Sequence, residues 1–375
     1  MNFLPEDWQD ALLLGRVDLG EGPTPILVNK GEVIDVSRTV PTVSAFLNGW
    51  DGNVPNGKAL GPITDLGFKP HWEGDKRLLS PVDLQCVKAA GVTFAVSAVE
   101  RVIEERARGD AAKANAIRAD LKARVGADIR SVKPGSEEAA RLKAALIVDG
   151  LWSQYLEVAI GPDAEVFTKC PPLAAVGWGA EIGIRSDSTW NNPEPEVAIV
   201  CDGAARELGA TLGNDVNLRD FEGRSALLLG KAKDNNASTS LGPFIRLFDA
   251  GFTMDHVRQA VIELTIEGTD NYRLEGKSTM AEISRDPTEL CRQTRSEHQY
   301  PDGFCLFLGT LFAPTQDRDE PGRGFTHKVG DVVKVSTPRL GTLENRVTTS
   351  KAAPPWTFGI GALMSNLAKR GLLAS

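Results

Sequence analysis

The run Asn192-Pro193-Glu194-Pro195-Glu196-Val197-Ala198-Ile199-Val200 sets two carboxylates two residues apart where a β-type apolar run begins. Successive strand residues point to opposite faces, so Glu194 and Glu196 share one face. Paired oxygen donors on one face suit Mg²⁺ or Mn²⁺, hard cations that prefer carboxylate and water. A plain exposed strand face gives the same pattern, and a chain with 50 acidic residues contains such pairs by chance. Other chemistries are poorly supported. The four histidines, His71, His256, His298 and His327, show neither HxH nor HExxH spacing, which disfavours a histidine-built zinc hydrolase. There is no GxSxG elbow, no Walker loop and no GxGxxG after a strand. Five cysteines, an odd number without a CxxC, argue against both a disulfide framework and a zinc knuckle.

The elements that must position these acids are mostly strands. The chain has 375 residues, and its 42% hydrophobic content is enough for a buried core. Its net charge of −8 argues against phosphate-backbone binding. The N-terminus lacks a basic signal region and no apolar run reaches the roughly 18 residues of a membrane span, so a cytoplasmic protein is expected. Residues 1–78 read as a small β-rich domain, in which Asn29-Lys30-Gly31-Glu32 joins two apolar runs as a hairpin. Residues 79–375 form the second domain, with a helical insertion at about 97–150. Within it Ser97 and Glu100 form a capping box, Val99, Val102, Ile103 and Ala107 make an apolar stripe, and the charges lie on solvated faces. A break at Gly109-Asp110 is followed by a further helix over Ala111–Val125, and another begins at Ser136. Later β-type runs are Val197–Cys201, Leu227–Leu229, Ile262–Ile266, Phe304–Leu308 and Val332–Val335, with a helix around Met280–Thr294. The tail carries an amphipathic segment, Ala362–Leu373.

Further polar blocks follow the two glutamates in a definite order: Gly213-Asn214-Asp215-Val216-Asn217-Leu218-Arg219-Asp220, then Gly230-Lys231, then Gly242-Pro243, then Gly341-Thr342-Leu343-Glu344-Asn345. Phe167-Thr168-Lys169 precedes them. Across about residues 165–347 this order resembles the fumarylacetoacetate hydrolase superfamily, which shows F-x-K, E-x-E, N-D-x-x-x-R-D, a G-K segment, a Gly-Pro turn and G-T-L-x-N. The resemblance implies an α+β, mostly β fold: a mixed β-sandwich roll as catalytic domain, with a small N-terminal β-rich domain. It implies Mg²⁺ or Mn²⁺ held by Glu194, Glu196 and Asp215, a 2-keto acid substrate chelating that ion, and Lewis-acid polarisation of its carbonyl. It makes Lys231 the active-site lysine, facing the substrate oxygens, and Gly341 and Thr342 the segment holding the substrate carboxylate. Arg219 either supports Asp215 or pairs with Asp220 or another acid.

Hydrolases of that family carry a G-x-N-Y-x-x-H-x-x-E-like segment, whose His and Glu activate water. The matching stretch runs from Gly91 to Glu100, with Ser97 where the His would stand. A serine is no base near neutral pH without a partner. The departure favours a member that moves protons on the substrate itself, and the chain resembles the family's dehydratases of 2-keto-3-deoxy sugar acids. The resemblance then implies loss of water from 2-keto-3-deoxypentonate to give 2,5-dioxopentanoate. Glu100 would be the proton-moving group, and Ser97 either contacts substrate or caps the helix. The alternative is hydrolysis of a C–C bond in a 2,4-diketo acid, with His298 reaching the site from a loop. Decarboxylation of oxaloacetate and a non-catalytic binding protein are the remaining readings. The family implies a homodimer or homotetramer, with no nucleic-acid or membrane partner.

Overall fold

The computed structural model describes residues 3–108, 110–114, 117, 132–312, 314, 316–321 and 324–373. The hairpin read from the sequence is present: Pro23–Asn29 pairs antiparallel with Glu32–Asp35, closing at Asn29 and Glu32. Lys30 and Gly31 both hold positive φ, 50° and 79°, the two-residue turn that matches strand twist.

Mixed β-sheet dominates. The longest path runs Lys58–Pro62, Glu32–Asp35, Pro23–Asn29, Leu13–Asp18, Thr239–Leu247, Glu207–Asp215, Pro195–Cys201, Phe304–Phe307, Cys86–Gly91 and Glu165–Cys170. Leu13 pairs with Arg246 and Leu14 with Ile245, so the strands of residues 13–62 continue the sheet that carries the paired glutamates. The second sheet is ordered Arg273–Thr279, Val261–Glu267, Val332–Thr337, Gly341–Thr349 and Glu181–Ile184. In Val261–Glu267 the residues Ile262, Leu264 and Ile266 are buried and alternate with more accessible ones. This face meets Val197, Ile199 and Leu212 of the first sheet in one apolar core. The opposite face of the first sheet is covered by Val43, Phe46 and Leu47 of the helix Val43–Asn48. Covered on both faces, Pro195–Cys201 is buried at every position, which accounts for its unbroken apolar run.

A third cluster is helical. Val99, Val102, Ile103 and Ala107 of the helix Ala95–Ala107 pack with Leu146 of Glu137–Val148 and Leu156 of Gln154–Ile160. The expected capping box is corrected here. The N-cap is Phe94, which offers no side-chain cap, and Ser97 lies inside the first turn, where its hydroxyl donates to the carbonyl of Thr310. Ser136 does cap its helix, accepting from the N–H of Ala139. Of the helix expected over Ala111–Val125, residues 115, 116 and 118–125 lie outside the described residues.

Three further expectations change. Leu227–Leu229 is no strand, since a 3₁₀ turn at Ala226–Leu228 leads into the short helix Leu229–Lys233. The helix expected from Met280 is a 3₁₀ turn to Glu282, and the α-helix starts at Pro287 behind the N-cap Asp286. Proline fits a first helical turn and not an interior one, so it fixes that start. Gly242-Pro243 lies within the strand Thr239–Leu247 and makes no turn. The tail forms the helix Ile360–Lys369, which buries Leu363 and Leu367. Among the described residues, no helix is long and apolar enough to cross a membrane.

Replacing Ser136 by Ala removes the acceptor for the Ala139 N–H. The expected cost is about 1 kcal/mol, measured by urea denaturation.

Candidate active site

The acids meet because two neighbouring strands share a register. Pro195 pairs with Asn214 and Glu196 with Gly213, which sets Asp215 beside Glu194. The pairing continues past the strand, since the Asp215 N–H donates to the Glu194 carbonyl and the Glu194 N–H to Asn214 Oδ1. Glu194, Glu196 and Asp215 are all buried, and one carboxylate oxygen from each lies within 4.8 Å of the others. No nitrogen or sulfur donor belongs to this group, so it fits a hard divalent cation. Burial, reinforced by Asp215 and Glu194, pushes the Glu196 carboxyl well above its usual range. Three crowded carboxylates cannot all ionise without compensating charge.

Part of that charge comes from lysine. Lys233, at the end of the helix Leu229–Lys233, ion-pairs with Glu194 and lies 3.1 Å from Asp215 Oδ2. Burial alone would raise the Glu194 pKa, but Lys233 and Arg101 outweigh it and hold it low. Lys169 is fully buried on the strand Glu165–Cys170 and stands 3.2 Å from Asp215 Oδ1. That oxygen accepts no hydrogen bond, and an added cation would satisfy it. Glu196 Oε2 accepts from the Gly309 N–H at 2.6 Å.

A cavity opens over these acids. Seven carboxylates line it against three cationic side chains, Arg101, Arg219 and Lys233, an excess that a divalent ion would reduce. One wall is the helix Ala95–Ala107, whose Ser97, Glu100, Arg101 and Glu104 follow i, i+3, i+4, i+7 spacing and occupy one face. The expectation that this helix's charges sit on solvated faces is therefore corrected: Glu100 and Glu104 are buried, and the Arg101 side chain is 12% exposed. Arg101 bridges Glu194 at 2.7 Å, Glu104 at 2.8 Å and Glu222 at 2.9 Å. Arg219 pairs with Glu104 at 2.6 Å, approaches Glu100 at 3.7 Å and stacks over Trp190. Of the alternatives for Arg219, the partner is thus another acid. Asp220 turns away to accept from Ser188 and Thr189. Burial pushes the Glu222 carboxyl up to about 7, against the pull of Arg101 and Lys233.

Several sequence candidates fall elsewhere. Lys231 is exposed and outside the cavity, whereas Lys233 is buried within it. Two positions apart on a helix means nearly opposite sides, so the second lysine faces the acids. Gly341 and Thr342 begin the strand Gly341–Thr349 of the other sheet and do not line the cavity. Gly341 holds φ of 80° with its Cα facing the Phe3 backbone, and Asn345 donates to the carbonyls of Gly177 and Ala180. The Gly-Thr pair that lines the cavity is Gly309-Thr310. His298 is exposed, stacks on Tyr300 and does not reach the site, and none of the four histidines lines the cavity.

Glu165 is the group the sequence reading missed. It shares one strand face with Phe167 and Lys169 and lines the cavity. Among the described residues, none donates a hydrogen bond to its carboxyl or forms an ion pair with it. Burial raises its pKa, although Arg101 and Lys233 draw it down. The signal was the two-residue step back from the quoted Phe167-Thr168-Lys169.

With this geometry in hand, comparison with known proteins gives the family. A family model described as fumarylacetoacetate (FAA) hydrolase C-terminal matches residues 156–348. The chain belongs to this family. It is 31% identical over 195 residues to a probable 2-keto-3-deoxyxylonate dehydratase of Haloferax volcanii, a match covering 52% of this chain and 64% of that protein. It is 31% identical over 182 residues to a 2-dehydro-3-deoxy-D-arabinonate dehydratase of Saccharolobus solfataricus, covering 48% of this chain and 57% of that protein. Both matches span less than two thirds of the relatives' own length. A solved 2-keto-3-deoxy-D-arabinonate dehydratase, complexed with magnesium and 2,5-dioxopentanoate, has the same fold: TM-score 0.63, 21% identity, 90% of this chain and 99% of that one.

Two substitutions separate the lysines. In the metal-free protein Lys233→Met leaves Glu194 and Asp215 short of a buried cation and is expected to cost about 3 kcal/mol or more. Lys231→Met should stay within about 0.5 kcal/mol of the parent, both measured by urea denaturation. Mg²⁺ or Mn²⁺ at 100-fold excess over Kd should stabilise the parent by about 2.7 kcal/mol, and Asp215→Asn should abolish that shift.

Proposed function

We propose that this protein is a metal-dependent hydro-lyase that converts 2-keto-3-deoxypentonate to 2,5-dioxopentanoate. The observation that carries this reading is the cavity over the three-carboxylate group, lined by Glu165 and by buried Glu100; among the described residues nothing donates to or ion-pairs with the Glu165 carboxyl, and no histidine lines the cavity. The names of the two 31%-identical relatives support it, as does the ligand pair described for the solved dehydratase. Glu194, Glu196 and Asp215 would hold Mg²⁺ or Mn²⁺, which supplies Lewis-acid polarisation of a 2-keto group and so makes the C3 protons acidic.

The chain's own groups then divide the proton work. Glu100 takes a proton from C3. Glu165, whose carboxyl burial shifts toward the protonated form, would give a proton to the C4 hydroxyl, which leaves as water. Ionised Glu165 next takes a proton from C5, while Glu100 returns one to C3. The resulting C4–C5 enol tautomerises to the aldehyde, and both carboxyls regain their starting states. Thr310 would bind the substrate carboxylate, a role supported by its place in the cavity wall and by its Oγ accepting the Phe312 N–H, which leaves its own proton to donate. Ser97 fixes that segment through the Thr310 carbonyl. A C–C hydrolase needs a base to activate water, and His298 stands outside the cavity.

The same reading includes a cytoplasmic homodimer or homotetramer. Exposed Trp356, Ile360 and Met364 on the C-terminal segment supply apolar surface for contact between copies.

Purified protein with 2-keto-3-deoxypentonate and Mg²⁺ should yield, by mass spectrometry, a product one water lighter that semicarbazide traps. EDTA should stop the reaction. Glu165→Gln and Glu100→Gln should each lower kcat about 10²–10⁴-fold. Unchanged substrate would overturn the dehydratase. Pyruvate released from a 2,4-diketo acid would mean a hydrolase, and ion binding without turnover on any 2-keto acid would mean a binding protein.

A further inference from the structure

Gly91 and Glu165 are cross-strand partners in the pairing of Cys86–Gly91 with Glu165–Cys170. Directly opposed residues point to the same face of a sheet, so a side chain at residue 91 would stand beside that of Glu165. A Cβ built on Gly91 would lie 2.8 Å from Glu165 Cδ and closer still to Oε2. Its three nearest atoms all belong to Glu165. Gly91 is not among the residues with positive φ, so backbone conformation does not demand glycine there. Both residues line the cavity.

We propose that Gly91 is a positioning residue for the proposed dehydration, and that its missing side chain makes the recess in which the Glu165 carboxyl sits over the cavity. An added Cβ meets the end of the Glu165 side chain first, so an alanine moves the carboxyl away from the substrate. The displaced atoms are the free end of a flexible side chain, so the fold accommodates an alanine. Misplacing a reacting group by about 1 Å costs on the order of 10²-fold in rate. The role in catalysis rests on the dehydratase reading given above. The placement itself does not.

The test is a double-mutant cycle on 2-keto-3-deoxypentonate with Mg²⁺. Gly91→Ala is expected to lower kcat about 10- to 100-fold, with KM and Mn²⁺ affinity close to those of the parent. In a Glu165→Asp background, whose shorter side chain clears the added methyl, the same change should cost little further. An equal cost in both backgrounds would overturn the proposal, and so would a Gly91→Ala enzyme with the parent's kcat. A proportional loss of Mn²⁺ affinity would overturn it too, by assigning Gly91 to the ion site. Crystal structures of the parent and of Gly91→Ala read the placement without turnover. If the parent does not act on the substrate but the Glu165 carboxyl is displaced in the variant, the substrate reading fails and the placement stands. If the carboxyl has not moved, the placement fails whatever the enzyme does.

Discussion

Burying many carboxylates in one small volume is the constraint on which the rest of this structure depends. Glu194, Glu196 and Asp215 meet within 4.8 Å under a cavity that also receives Glu100, Glu104, Glu165 and Glu222. Desolvation and mutual repulsion both oppose their ionisation, and the fold answers with buried cations drawn from separate elements. Lys169 comes from a strand, Lys233 from a short helix, Arg101 from a long helix and Arg219 from the turn after the N-D segment. Each cation joins its own element to acids on others, so the charge balance of the site also ties the elements together. The excess that persists suits a divalent ion.

Arg101 shows how this balance doubles as architecture. One guanidinium reaches Glu194 in the triad, Glu104 one turn along its own helix and Glu222 on a third segment. The apolar stripe on the other side of the same helix packs against two further helices. Between these two attachments, Glu100 and Ser97 have little freedom in where they point. Site geometry and helix packing are therefore one problem, and loosening either would move the other.

The polar groups at the cavity divide into those consumed by neighbours and those left available. Most carboxylates are neutralised by an arginine or a lysine, and Glu196 takes a backbone N–H. Glu165 is raised by burial and accepts nothing from the described residues around it. Its carboxyl occupies the recess left by the absence of a side chain at Gly91. Thr310 is likewise left with a hydroxyl proton once its oxygen accepts the Phe312 N–H. These are the groups on which the proposed chemistry rests.

Local sequence determined the features that depend on neighbours along the chain. Period-two alternation put Glu194 and Glu196 on one strand face, and the same alternation in Ile262–Ile266 marked a half-buried strand. Lys30-Gly31 dictated the hairpin, because both positions take positive φ. The ordered polar blocks carried the family and, with it, Asp215. Only tertiary structure could choose Lys233 over Lys231, since the direction so short a helix faces depends on what it packs against. Only the fold could send Gly309-Thr310 to the cavity and Gly341-Thr342 to the other sheet, because the two dipeptides look alike in sequence. The charged face of Ala95–Ala107 read as solvated for the same reason: its partners Glu194 and Arg219 lie 93 and 115 positions away from Arg101 and Glu104. Long-range charge pairing leaves no periodic trace, so the sequence named the three clustered carboxylates and the fold supplied Glu165, Lys233 and the arginines around them.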